Sequence, residues 1–198
     1  MSDIAVDFAG GIAQLVAHLK ELGHTQLGFI GGTEGLVTSR VRRTCFLDSV
    51  VNNGLASRAE WIRPANFTVE SGSEAMERIL AEKEIPSAIL CANDLTAIGA
   101  LRTAHAHGLN VPGDISVAGC DDIAMADIVY PPLTTLRISR KEYARLLYKA
   151  LSEAGQDLTK PGQQFTLPLT LVVRQSTGPA PGHGAKGGRK RAATKNKL

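Results

Sequence analysis

The hydrophobic residues of this chain follow two spacings, and the alternation of these spacings predicts its elements. Apolar residues at helical spacing predict a helix from residue 11 to Gly23 and further helices at 38–52, 69–82, 94–107 and 141–153. Short apolar runs predict strands at 27–30, 61–63, 88–92, 115–119, 134–137 and 166–173, the last of them interrupted by Pro168.

The order of these elements predicts the fold class. Strands that are apolar on both faces and alternate with helices indicate a mostly parallel sheet covered on both sides. Right-handed crossovers then make the fold a doubly wound α/β sandwich. We expect residues 1–177 to form the folded domain. In residues 178–198, Gly, Pro, Ala, Lys and Arg replace the apolar periodicity, which predicts a disordered basic tail.

The net charge of +3 over 198 residues is unevenly distributed. Six of the 22 basic residues lie after residue 178 with no acidic residue among them, which leaves 16 basic against 19 acidic residues upstream. The body is therefore acidic and the tail basic. Such a tail either attracts phosphates weakly, without sequence preference, or is an incidental extension.

Several classes of protein are excluded by what the sequence lacks. No apolar run is long enough to span a membrane, and the N-terminus has no secretory signal pattern. Cys45, Cys91 and Cys120 are widely spaced among apolar residues, which indicates reduced thiols in a cytoplasmic protein. His105 and His107 are two apart on a predicted helix and cannot chelate one ion together. We expect no metal and no other cofactor.

Signatures of an enzyme are also missing. The chain contains no P-loop, no dinucleotide-binding glycine pattern and no nucleophile elbow. We therefore expect a protein that is not an enzyme. A small doubly wound enzyme, acting on a phosphorylated substrate at the glycine-rich loop 31–35, stays open as an alternative.

Polar and aromatic side chains follow the predicted strands where a doubly wound sheet binds ligands. They are Arg40, Phe67, Asn93 and Asp121. A guanidinium can hold two ligand oxygens, a carboxylate accepts hydrogen bonds from hydroxyls, and a phenyl ring can stack on a sugar face. Three of them also have a purely structural interpretation: Asn93 as a helix cap, Arg40 on a solvated face and Phe67 in the core.

Seven runs of residues resemble one known family. They are 19–24 with 28–31, 39–42, 88–95, 97–101, 108–112, 114–122 and 131–135. In order and spacing they resemble the effector-binding domain of LacI/GalR-type transcriptional regulators, over residues 6 to 177.

The resemblance implies a type I periplasmic-binding-protein-like fold, in which two α/β subdomains hold a small effector between them. Arg40, Phe67, Asn93 and Asp121 match positions where family members contact effector from the second subdomain. The implied partners are a sugar or related metabolite, and a second copy of the chain or a homologous regulator.

The sequence also departs from the family pattern. Cys45 stands where a glycine is usual, and Cys120 where an aromatic residue is common. The family's DNA-reading helix-turn-helix and most of its first subdomain have no counterpart here, so we expect one near-complete subdomain plus part of the other. DNA contact would then be indirect or through the tail. An alternative is a truncated remnant that acts only by oligomerising with a homologous regulator.

Overall fold

Seven strands form one mixed sheet with helices on both faces. The computed structural model describes residues 3–156 and 162–182. The strands are β1 (Asp3–Asp7), β2 (Leu27–Ile30), β3 (Ile62–Arg63), β4 (Ala88–Cys91), β5 (Ser116–Asp121), β6 (Thr134–Ile138) and β7 (Gln164–Val172). The helices are α1 (Phe8–Glu21), α2 (Val37–Asn52), α3 (Val69–Leu80), α4 (Asp94–Ala106), α5 (Met125–Ile128) and α6 (Arg140–Gln156), with a 3-10 turn at Ala59–Trp61.

The strand order across the sheet is β1-β7-β6-β5-β4-β2-β3, and every neighbouring pair except β6 and β7 is parallel. One core lies between the sheet and the pair α1 and α2, and a second lies under α3 and α4 on the opposite face. This arrangement confirms the predicted α/β class, and β2 and β4 are buried along their whole length as predicted.

The two helices on the second face approach each other closely. A Cβ added at Gly72 would collide with the backbone of Thr96, and one added at Gly99 would collide with the carbonyl of Val69. Glycine at both positions therefore lets α3 and α4 pack backbone against backbone.

The strand β7 exchanges one partner for another along its length. Its first half pairs in parallel with β1, up to the pairing of Pro168 with Asp7. Its second half, from Leu169 onward, pairs antiparallel with β6. Proline has no N–H to donate to a ladder, so Pro168 suits the point at which the pairing changes.

One strand and one short helix were not predicted. The strand β1 is only partly buried, and its apolar run is three residues long with an aspartate at each end. Asp7 then caps α1 by accepting a hydrogen bond from the Gly10 N–H at 2.8 Å, and α1 begins three residues before the predicted start. The helix α5 has only four residues.

The segment after β7 packs against the body up to Ala180. The ring of His24 is 1% exposed and its Nε2 lies 3.0 Å from the Gly178 carbonyl oxygen, while the Ala180 N–H donates to Leu22 at 2.8 Å. Residues 183–198, most of the predicted basic tail, lie outside the described residues. The tail and its boundary at residue 177 stay a prediction.

The three cysteines are free thiols; Cys91 and Cys120 are buried and Cys45 is partly buried. Burial raises the pKa of the Cys120 thiol to about 12. Over residues 3–156 and 162–182 no helix has the length and apolar character to cross a membrane. The same residues hold no cluster of three or more potential metal ligands.

Candidate functional site

The carboxyl ends of β2, β4 and β5 meet at one edge of the sheet, and Arg42 of α2 reaches over that edge. Its guanidinium donates to the carbonyl of Ala92, which follows β4, and its Nη2 lies 3.7 Å from Oδ1 of Asp121 at the end of β5. The Cζ atom also lies 4.4 Å from the ring centroid of Phe8 and 5.5 Å from that of Phe67. One side chain therefore joins four separate segments.

The Arg42 guanidinium is held in place but not fully satisfied. Its side chain is only 12% exposed, and its Nε has no hydrogen-bond partner among the described residues. A buried unpaired donor costs about 1–3 kcal/mol, and a ligand oxygen placed there would recover it.

Asp121 supplies the negative charge of the site. Burial raises the pKa of this carboxyl to about 6, the nearby Arg42 cation lowers it, and the Asp94 carboxyl raises it. Its backbone has a φ of 124°, and Asp122 follows with a φ of 54°. The carboxylate is thus partly desolvated and able to accept hydrogen bonds from hydroxyl or amine donors.

Phe67 forms an aromatic wall in a strained conformation. Its φ is 67°, in the left-handed region that bulky residues rarely adopt. The Nδ2 of Asn93 donates to the Phe67 carbonyl at 3.1 Å, and a Cβ added at Gly32 would collide with the Phe67 ring. Phe67, Asp121 and Asp122 are the non-glycine residues with positive φ in the described chain, and all three lie at this edge.

Asn93 has a structural task. Its Oδ1 accepts a hydrogen bond from the Thr96 N–H at 3.0 Å, so it is the N-cap of α4, while its Nδ2 holds Phe67. The neighbouring Asp94 is fully buried and accepts hydrogen bonds from Thr135 Oγ1 at 2.5 Å and from the Ile123 N–H at 2.9 Å. A direct contact between Asn93 and effector stays a prediction.

The structure does not place Arg40 with the other three predicted residues. Arg40 is exposed and lines a neighbouring cavity, while Arg42 contacts Phe67 and Asp121. The helical period gives a signal that could have found Arg42. It lies four residues before the fully buried Phe46, on the same face of α2, whereas Arg40 lies on a different face.

Comparisons with known proteins identify the family to which this chain belongs. Residues 16–177 match the model of the periplasmic binding protein-like domain family. The HTH-type transcriptional repressor PurR of Haemophilus influenzae (strain PittEE) is 34% identical over 162 residues, which span 80% of this chain and 48% of the repressor. The chain belongs to the LacI/GalR family of transcriptional regulators, as a periplasmic-binding-protein-like effector-binding domain.

Solved structures of LacI-family proteins share the fold. A dimeric Lac repressor with an 11-residue C-terminal deletion is 31% identical with a TM-score of 0.83, covering 90% of this chain and 64% of that chain. A CelR transcriptional regulator in complex with cellobiose is 28% identical with a TM-score of 0.82, covering 89% and 54%. The chain spans about half the length of the curated relative and under two thirds of these structures.

In this LacI/GalR-family chain, Asp122 anchors the loop that carries Asp121. Its Oδ1 accepts a hydrogen bond from Arg174 Nη2 at 2.7 Å, and its Oδ2 accepts one from Arg137 Nε. Burial opposes ionisation of Asp122, but the two guanidinium groups prevail and lower its pKa. Both carboxylate oxygens of Asp122 are thus used in holding the loop, whereas the carboxylate of Asp121 faces Arg42.

Proposed function

We propose that this chain binds a small hydroxyl-rich effector, a sugar or related metabolite, with Arg42, Asp121 and Phe67 as its contacts. The observation that carries the proposal is the meeting of Arg42 and Asp121 beside the Phe67 ring, with the Arg42 Nε left unpaired. The cellobiose complex of the structurally similar CelR regulator supports the sugar class.

Each of the three side chains would have a distinct task. Ionised Asp121 accepts hydrogen bonds from ligand hydroxyls, Arg42 donates from Nε to a ligand oxygen, and Phe67 stacks on an apolar ring face. Asn93 acts through Phe67, whose strained backbone it holds. In a regulator, an effector that binds one conformation more tightly shifts the population toward it.

The partner of the chain would be a second copy or a homologous regulator in the cytoplasm, with DNA contacted indirectly or through residues 178–198. Two exposed apolar groups of residues support a protein partner: Ile128 and Tyr130 after β5, which are 80% and 92% exposed, and Tyr143, Tyr148 and Leu151 on α6. We propose no enzymatic activity, since PurR of Haemophilus influenzae and MelR of Bacillus subtilis, to which this chain is similar, are transcriptional repressors.

A ligand panel on the full chain tests this proposal. Thermal-shift and calorimetric titrations with sugars, purines and small acids should find a binder among the hydroxyl-rich compounds. Asp121→Ala should abolish that response while keeping the fold by circular dichroism, and Arg78→Ala, on the exposed face of α3, is the control. An intact wild type that responds to none of these classes would contradict the proposal.

A further inference from the structure

A cavity of about 490 Å³ lies beside the site described above, between the start of α2 and the end of β3. None of Arg42, Phe67, Asn93 or Asp121 lines it. Gly32 lines the cavity, and the Phe67 ring packs against the same glycine. Gly32 therefore separates the cavity from the Arg42–Asp121 site.

The lining of the cavity is positively charged. Arg40, Arg43 and Arg63 line it, with Glu34 as the one acidic residue among the described lining residues. Arg63 pairs with Glu82. Within residues 3–156 and 162–182, Arg40 and Arg43 form neither an ion pair nor a side-chain hydrogen bond, so these two guanidinium groups lack an ion-pair partner.

Buried polar atoms in the wall also lack partners. Ser39 is 8% exposed and lines the cavity, and its Oγ has no hydrogen-bond partner among the described residues. The Nε of Arg63, in the same wall, has none either. Each such atom costs about 1–3 kcal/mol, and both can donate to a ligand oxygen.

The helix α2 begins at this wall and has 16 residues. Its N-cap position is Leu36, which supplies no side-chain hydrogen bond to the first turn. The free N–H groups and the helix dipole therefore add positive potential to the same place as Arg40 and Ser39.

We propose that this cavity binds an anionic group, a phosphate monoester or a carboxylate. Its oxygens would accept hydrogen bonds from Ser39 Oγ, Arg63 Nε and the first turn of α2, while Arg40 and Arg43 neutralise the charge. The anionic group is either a free ion or a substituent of the effector. In the second case the effector would extend from the Arg42–Asp121 site past Gly32 into the cavity. Because the cavity shares no charged residue with the Arg42–Asp121 pair, its affinity for anions is separable from the proposed effector binding.

Calorimetric titration of the full chain with inorganic phosphate, acetate, glucose and glucose 6-phosphate tests the proposal. Phosphate should bind, and raising the salt concentration should weaken it. Arg43→Ala and Ser39→Ala should each weaken binding about fivefold or more, while Arg78→Ala should change nothing. Tighter binding of glucose 6-phosphate than of either glucose or phosphate alone would indicate a group carried by the effector; equal affinity for the two phosphates would indicate a free anion.

Two results would overturn the proposal: absence of phosphate, glucose 6-phosphate and acetate binding by the folded wild type, or losses in Arg43→Ala and Ser39→Ala no larger than in Arg78→Ala. Arg42→Ala separates the two sites. It should leave phosphate binding intact, so a failure of effector binding and a failure of anion binding are read independently.

Discussion

The Arg42 guanidinium lies 3.7 Å from the Asp121 carboxylate, although the two residues come from α2 and from the end of β5. Their side chains are 12% and 30% exposed. This distance is longer than that of a direct charge-assisted hydrogen bond. Both side chains can therefore form hydrogen bonds with a ligand placed between them.

Arg42→Ala should lower effector affinity at least tenfold, because it removes the donor that lies between Phe67 and Asp121. Arg42→Lys should recover only part of that loss, since an ammonium cannot replace the planar fork of donors. Titration calorimetry with the effector found in the panel measures both.

Arg40→Ala is the matched control for this prediction, because it removes the same charge from the same helix two residues away. We expect it to change affinity for a neutral effector less than threefold. Equal losses in the Arg40 and Arg42 variants would restore Arg40 to the site and contradict the assignment to Arg42.

The raised pKa of Asp121, about 6 in the folded chain, predicts a specific pH dependence of stability. The folded state holds this proton more tightly than the unfolded state, so the free energy of unfolding should fall as pH rises from about 4 to about 6. At pH 7 the free energy of unfolding should be about 1–3 kcal/mol lower than at pH 4 because of this group. Asp121→Asn should therefore stabilise the ligand-free chain at pH 7 and flatten this part of the profile in urea unfolding.

The titration of Asp121 should also change the effector affinity, which should rise with pH whereas the stability of the ligand-free chain falls. Only ionised Asp121 accepts from every hydroxyl presented to it, so affinity should decline as pH falls through about 6. The Asp121→Asn variant should bind weakly with no such dependence. A wild-type affinity that is constant between pH 5 and 7.5 would exclude Asp121 as a contact.

Gly32→Ala should disturb the site without unfolding the sheet. The added methyl group would collide with the Phe67 ring and displace it from its position beside Arg42. We expect at least a fivefold loss of effector affinity with the circular dichroism spectrum unchanged. Gly35→Ala is the comparison variant, because a Cβ at that position meets no atom within 4 Å. The positive φ of Gly35 means that this variant also carries backbone strain.

Elements with a strong local pattern were predictable from the sequence. The strands β2 and β4 are continuous apolar runs, and α4 begins at a residue type that caps helices. The strand β1 was not predictable from the sequence, because its partner β7 lies about 160 residues away and its own side chains are only partly buried.

The site was predictable in part, for the same physical reason. Asp121 ends β5 and Phe67 lies in the loop after β3, so the topology brings both to the same edge of the sheet. Choosing between Arg40 and Arg42 needed the rotational phase of α2, which the buried Phe46 sets. The double use of Asn93, as a cap and as a support for Phe67, depends on the position of a loop that no local pattern encodes.

The change of partner in β7 at Pro168 has a structural consequence. On one side of Pro168 the strand belongs with β1, and on the other it belongs with β6. Asp7, paired with Pro168, is followed by Phe8, whose ring lies against Arg42. The residue next to this change of pairing is therefore the one whose ring contacts the Arg42 guanidinium, so the register of β7 against β1 fixes the position of that ring.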